Sequence, residues 1–224
     1  MNNEIFSSIY EKNFPFWQLL SDEDKVFICN NSNQSAYKKG THIYDGSGDG
    51  GIIFLKKGTL RVYMSTEDGK ELTLMRVHEN ELCILSASFI TEPISTDIFV
   101  DAEEDSECYY ISGDAFESIN NKYPQARIYA LETTVESLSN AMWIMQQILF
   151  MSMDKRLAIF LLDEINRTNT DTIMLTHSLI AKYMGSAREV VSRMLKYFET
   201  EGIVGLSRRG VKILDKKRLR ELTI

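Results

Sequence analysis

Residues 176–202 read THSLIAKYMGSAREVVSRMLKYFETEG, and this stretch decides the fold of the C-terminal part of the chain. Thr176 is a cap-type residue from which a short helix runs through Ile180 and Tyr183, and a longer helix starts near Ala187 and ends before Gly202. Between them lies Met184-Gly185-Ser186. A tight turn between two helices needs a residue that tolerates positive φ, which Gly185 supplies. Close helix approach needs a small side chain, which Ala181 supplies four residues earlier. On the second helix Val191, Met194, Leu195 and Phe198 recur at helical spacing and form a stripe for burial.

The opposite face of that helix carries Arg188, Glu189, Ser192, Arg193 and Lys196. Arginines suit guanine edges in the major groove and a carboxylate accepts from cytosine N4, with good bidentate pairs discriminating by about 1–3 kcal/mol. Thr176 and Ser178, at the start of the first helix, join these as candidate DNA contacts. A solvated αα-hairpin has the same amphipathic pattern, but the small residue, glycine turn and buried valine together fit helix-turn-helix spacing. Ile203-Val204 and Val211-Lys212-Ile213-Leu214 read as two short strands around Leu206-Ser207-Arg208-Arg209-Gly210, a hairpin with a basic tip. Arg208 and Arg209 are there expected to meet phosphates, which sets affinity and register without reading sequence.

Charge supports this division. The formal net charge of the 224 residues is −7, yet residues 151–224 hold 14 Lys+Arg against 9 Asp+Glu, or +5, which leaves −12 for residues 1–150. A basic module joined to an acidic one points to nucleic acid. With 44% hydrophobic residues the chain can build real cores, as one large or two small domains. No apolar run reaches membrane-span length and MNNEIFSSIYEKN lacks signal-peptide order, so a cytoplasmic protein with no membrane partner is expected. Cys29, Cys83 and Cys108 are odd in number and far apart, which fits reduced, mostly buried thiols.

The N-terminal half reads as β-rich. Ile52–Leu55, Gly58–Met64, Glu71–Met75, Leu82–Leu85, Thr96–Val100 and Glu107–Ile111 are strand-like, and Glu67-Asp68-Gly69-Lys70 is a hairpin turn. Many short strands with regular turns mean a sandwich or barrel. The glycine-rich segment from Asp45 to Gly51 lacks the Lys-Ser/Thr ending and following helix of a phosphate cradle, and reads as a loop. The pattern turns helical after Gly113, and from Pro124 it is long. Ile128, Leu131, Val135, Leu138, Met142, Met145 and Leu149 alternate at spacings of three and four, a heptad seam that fits a parallel homodimer. Phe150-Met151-Ser152 breaks that helix, and Ser152 caps the next.

Lys57-Gly58 with Glu67-Asp68-Gly69-Lys70-Glu71, Arg156-Leu157-Ala158, and the run from Gly185 to Arg193 carry a family resemblance that covers nearly the whole chain. The chain resembles the cyclic-AMP receptor protein / fumarate-nitrate regulator family of bacterial transcription factors. The resemblance implies an α+β fold: a cyclic-nucleotide-binding-like β-roll (double-stranded β-helix) over 1–124, a dimerisation helix and hinge over 125–151, and a winged helix-turn-helix over 152–224. It also implies a palindromic double-stranded DNA target, RNA polymerase as a further partner, and a ligand in the roll that shifts the packing of the dimer helix. In cyclic-AMP-type members an Arg-Glu-x-x-x-Arg pattern reads a TGTGA-like half-site, and Arg188, Glu189 and Arg193 occupy that pattern.

The sensor half departs from the family pattern. Asn80-Glu81-Leu82-Cys83-Ile84-Leu85-Ser86-Ala87-Ser88-Phe89 replaces the ribose-binding Gly-Glu element, and Ile94-Ser95-Thr96 stands where the phosphate-binding Arg-Ser/Thr pair belongs. No arginine occurs between Arg76 and Arg127, so cyclic AMP in the usual mode is not expected. An iron–sulfur cluster needs an N-terminal cysteine cluster, and only Cys29 is near the start. Haem needs an axial ligand, and His42 and His78 read as structural. The remaining expectation is a small ligand lined by Cys83, Leu85, Ser86 and Ser88, or redox chemistry at Cys83. A ligand-independent regulator with the roll as dimer scaffold is an alternative. A cupin-like metal enzyme needs three converging ligands such as two histidines and a carboxylate, but of the three histidines His177 sits in the DNA module, so no metal and no enzyme is expected.

Overall fold

The computed structural model describes residues 2–46, 50–66, 69–85, 98–207 and 210–224. Arg208, Arg209, Ser86, Ser88, Glu67, Asp68, Thr96 and part of the glycine-rich loop lie outside the described residues. The chain divides into two compact units, residues 1–64 with 74–141 and residues 65–73 with 142–224.

In the N-terminal part of the chain, among the described residues, α1 (Asn2–Asn13) and α2 (Asp22–Asn30) precede eight strands. These are β1 (Ser32–Tyr37), β2 (His42–Tyr44), β3 (Gly51–Lys57), β4 (Leu60–Ser65), β5 (Glu71–Val77), β6 (Leu82–Ile84), β7 (Ile98–Ala102) and β8 (Ser106–Ser112). They form two four-stranded sheets, in the orders β1-β8-β3-β6 and β2-β7-β4-β5. Alternation along the strands sorts side chains to two cores. Ile53, Leu55, Leu60, Val62, Val77, Cys83, Leu85, Val100, Ala102 and Cys108 form one cluster, contributed by both sheets. Ile52, Phe54, Tyr109 and Ile111, the alternate positions of β3 and β8, join the second. That cluster contains the helix aromatics Phe6, Tyr10, Phe14, Phe16, Trp17 and Phe116. Tyr10 stacks on Phe14 with ring centroids 5.2 Å apart, and its hydroxyl donates to Ser32 Oγ at 2.7 Å. Close approach at Gly51 depends on the missing side chain, because a Cβ there would lie 2.5 Å from the Ile111 carbonyl oxygen.

Helix α3 (Gly113–Lys122) is capped by Ser112 Oγ, which accepts from Ala115 N, and α4 runs from Pro124 to Phe150. Ala126 and Ala130 are its buried residues.

The second unit contains α5 (Met153–Thr168), β9 (Thr172–Ile173), α6 (His177–Met184), α7 (Arg188–Thr200), β10 (Val204–Ser207), β11 (Gly210–Ile213) and α8 (Lys216–Glu221). Ser152 occupies the N-cap of α5, but its side chain makes no cap hydrogen bond. Leu157, Leu161, Ile165, Ile180, Val191, Leu195, Phe198, Val204 and Val211 build the core. The three-stranded sheet has the order β10-β11-β9, so the expected hairpin gains a third strand.

Candidate nucleic-acid interface

The local chemistry of α6 and α7 fixes their turn. Thr176 Oγ1 accepts from Leu179 N at 3.2 Å and closes the first turn of α6. At the other end Gly185 is left-handed, with φ 59° and ψ 43°, and Ser186 N donates to Ala181 O at 2.9 Å. This six-to-one bond satisfies a carbonyl that the ending helix would otherwise leave open. Arg156, on the first turn of α5, donates from its guanidinium to Met184 O, the last carbonyl of α6. A cation placed there also suits the negative end of the helix dipole. Val191, Leu195 and Phe198 are buried, as their spacing requires.

That burial turns the other face of α7 outward. Arg188, Glu189, Arg193 and Lys196 are exposed, and Ser192 is half-buried among them. Among the described residues, Arg188, Glu189 and Arg193 make no ion pair. Lys196 differs: its Nζ lies 2.6 Å from Glu199 Oε2, which holds that carboxyl below its usual range, and Glu199 Oε1 accepts from Leu206 N at 3.3 Å. Lys196 is therefore drawn toward the start of the wing. Thr176 Oγ1 accepts at the helix cap and keeps its hydroxyl proton to donate, and both Thr176 and Ser178 are exposed. The wing pairs Ser207 with Gly210 across its tip, which is where Arg208 and Arg209 fall in sequence. A side chain at Gly210 would clash with the Ile173 carbonyl oxygen, so glycine is what lets β9 reach β11. His177, read in the sequence only as a poor metal ligand, places Nδ1 3.0 Å from Ser192 Oγ. Its position at the first residue of α6 gave no signal of that partner.

In the sensor half, the structure takes Cys83 and Leu85 into the inter-sheet core, both 4% exposed. Burial pushes the Cys83 thiol up to about 12 and the Cys108 thiol up to about 11. Neither Cys83 nor Leu85 lines a cavity of about 570 Å³ in this unit. That cavity is bounded by Phe54, Arg76, Glu81 and, from α4, Tyr129, Glu132 and Glu136. The heptad positions of α4 are open: Ile128, Leu131, Val135, Leu138, Met142, Met145 and Leu149 are between 38% and 63% exposed.

Comparison with known proteins fits these features. Residues 155–222 match the family model of the Crp-like helix-turn-helix domain, and residues 34–123 match that of the cyclic nucleotide-binding domain. The chain is 37% identical to a transcriptional regulator of the Crp/Fnr family from Eubacterium rectale, covering 95% of this chain and 99% of that one, with a TM-score of 0.88. This chain belongs to the Crp/Fnr family. As a Crp/Fnr protein it has a cyclic-nucleotide-binding-type β domain followed by a helix-turn-helix, and it is a DNA-binding transcriptional regulator. It is also similar to the regulator Flp of Lacticaseibacillus casei, 24% identical over 217 residues, 92% of this chain and 94% of that protein. A third relative is the cAMP-activated global transcriptional regulator of Pasteurella multocida, 24% identical over 172 residues, 74% of this chain and 82% of that protein. No helix among the described residues of this Crp/Fnr protein is long and apolar enough to cross a membrane.

Proposed function

We propose that this protein is a homodimeric, sequence-specific regulator of transcription, not an enzyme, that works in the cytoplasm and reads a palindrome with TGTGA-like half-sites. The observation that carries this reading is the outer face of α7, where Arg188, Glu189 and Arg193 are exposed and make no ion pair among the described residues. Charged groups held on a rigid helix without internal partners are free to bond base edges at little cost in rearrangement. Ser192 and Lys196 extend that face. Thr176, Ser178 and the wing residues Arg208 and Arg209 contribute phosphate contacts, and RNA polymerase is the protein partner. The exposed seam of α4 supports the two-fold assembly that a palindrome requires. The domain limits that go with this reading are 1–124 for the sensor, 125–151 for the dimer helix and 152–224 for the reading head.

The signal is a small ligand of the β-roll other than cyclic AMP. The chain matches the cyclic nucleotide-binding domain as a fold, yet it has no arginine between Arg76 and Arg127 to neutralise a cyclic phosphate. Redox control at Cys83 is the weaker version, because a thiol raised to about 12 is protonated at neutral pH and the thiolate is the reactive species.

Fluorescence anisotropy with duplexes carrying a TGTGA-like palindrome tests the reading. Tight binding that a scrambled duplex does not compete for is expected. Arg193→Ala should then relax base preference, and Arg208→Ala should weaken every duplex alike with a smaller salt dependence. Equal affinity of the wild-type protein for palindrome and scrambled DNA would overturn it.

A further inference from the structure

Ser192 lies one helical turn beyond Arg188 and Glu189 and directly before Arg193, so its hydroxyl belongs to the face that reads DNA in the function proposed above. A serine hydroxyl is ambiguous in the major groove, since it rotates freely and can donate to a keto oxygen or accept from an exocyclic amine. Helical hydroxyls in this chain commonly settle the matter by donating to the carbonyl four residues back. Thr133 does so to Tyr129, Thr134 to Ala130, Ser137 to Thr133, Ser139 to Val135 and Thr200 to Lys196. Ser192 does not follow them. Its Oγ is instead 3.0 Å from His177 Nδ1, across the helix-turn-helix from α7 to the first residue of α6.

We infer that His177 is a specificity-determining residue that fixes the hydrogen-bond polarity of Ser192. An sp² imidazole nitrogen is a better acceptor than a hydroxyl oxygen, so the shared proton is assigned to Ser192 Oγ donating to Nδ1, with the ring proton on Nε2. The oxygen then has only lone pairs left to offer. Ser192 becomes an acceptor, which selects the amino bases, adenine through N6 or cytosine through N4, over the keto bases guanine and thymine at the step it faces. His177 touches no base in this scheme and acts through Ser192 as a positioning residue.

The inference rests on the DNA-reading function, and the test separates the two. Full-length protein is titrated against duplexes in which each half-site position in turn carries each of the four bases. The wild type should favour amino over keto bases at one position by about three- to tenfold, the scale of one hydrogen bond. His177→Phe and Ser192→Ala should each flatten that preference at the same position, and the double variant should lose no more than either single one. His177→Asn, which keeps an acceptor near the Nδ1 position, should restore it. Thermal melts confirm that the variants fold, and Ser192→Ala, a change on the outer face of a helix, carries the comparison if His177→Phe does not. If His177→Phe lowers affinity for every duplex equally, if the two single effects fall at different positions or add, or if no amino preference depends on Ser192, the inference fails while DNA reading stands. If the wild type shows no sequence preference at all, the DNA-reading function itself fails.

Discussion

Truncating Leu138 to alanine should weaken the proposed dimer without harming the protomer. Leu138 sits in the middle of the α4 seam and is 58% exposed in the single chain. Full burial of a leucine is worth about 1.5–3 kcal/mol, so covering the exposed part should contribute roughly 1–1.5 kcal/mol per protomer. In the proposed dimer both copies meet at a two-fold axis, which makes the loss about 2–3 kcal/mol per dimer, or roughly a 30- to 160-fold weaker self-association. The protomer itself should be nearly indifferent: alanine is a stronger helix former than leucine, and exposed substitutions usually stay within about 0.5 kcal/mol. Sedimentation equilibrium across a concentration series reads the first quantity, and thermal melts at concentrations where both proteins are monomeric read the second. Affinity for a palindrome should fall together with dimerisation, whereas affinity for an isolated half-site should not. A self-association constant that moves by less than about threefold would show that the seam is not the dimer contact. A loss of more than about 1 kcal/mol in the monomer would show that Leu138 packs within its own chain.

Three further outcomes follow from the same physical terms. Gly185→Ala forces an L side chain into a φ of 59°, which should cost about 1–2 kcal/mol and lower the melting temperature by several degrees, with a larger loss of DNA affinity because the turn orients α7. Asn120 is 4% exposed and, among the described residues, neither atom of its amide finds a partner, so Asn120→Leu should raise stability by about 1–2 kcal/mol; a destabilised variant would mean that the amide is satisfied. The pH dependence of thiol reactivity has a definite sign. Burial raises Cys83 to about 12 in the folded state, above the ordinary thiol near 8.5, so the folded protein holds it protonated, and its contribution to stability is present below about pH 8.5 and lost as pH rises toward 12. Alkylation at pH 8 followed by mass spectrometry should therefore leave Cys83 unmodified in folded protein and modify it in denaturant; rapid labelling of the folded chain would restore the redox option.

Much of the molecule was legible in the amino-acid order because its signals are local. Thr176 caps, Gly185 turns and Val191, Leu195 and Phe198 repeat at helical spacing, so α6 and α7 follow from chemistry within a few residues of each one. The strands β3, β4, β5, β6 and β8 were likewise visible as apolar, β-branched or aromatic runs between turn residues. Strands β1, β2 and β9 were not. Ser32–Tyr37 is SNQSAY, an edge strand whose polar residues are held by the backbone ladder to β8, while β2 and β9 span three and two residues and leave no period to detect.

The sequence alone therefore determined helices α4, α6 and α7 and most of the strands, together with the charged outer face of α7 and the open seam of α4, since each depends on periodicity along one segment. Only the tertiary structure decided what meets across segments. It sends Arg156 to the end of α6 and takes Cys83 and Leu85 into the core between the two sheets. It also brings His177 to Ser192, residues 15 apart in the chain. Such contacts depend on how packed helices and sheets bring distant side chains within about 3 Å, a distance that no local pattern encodes.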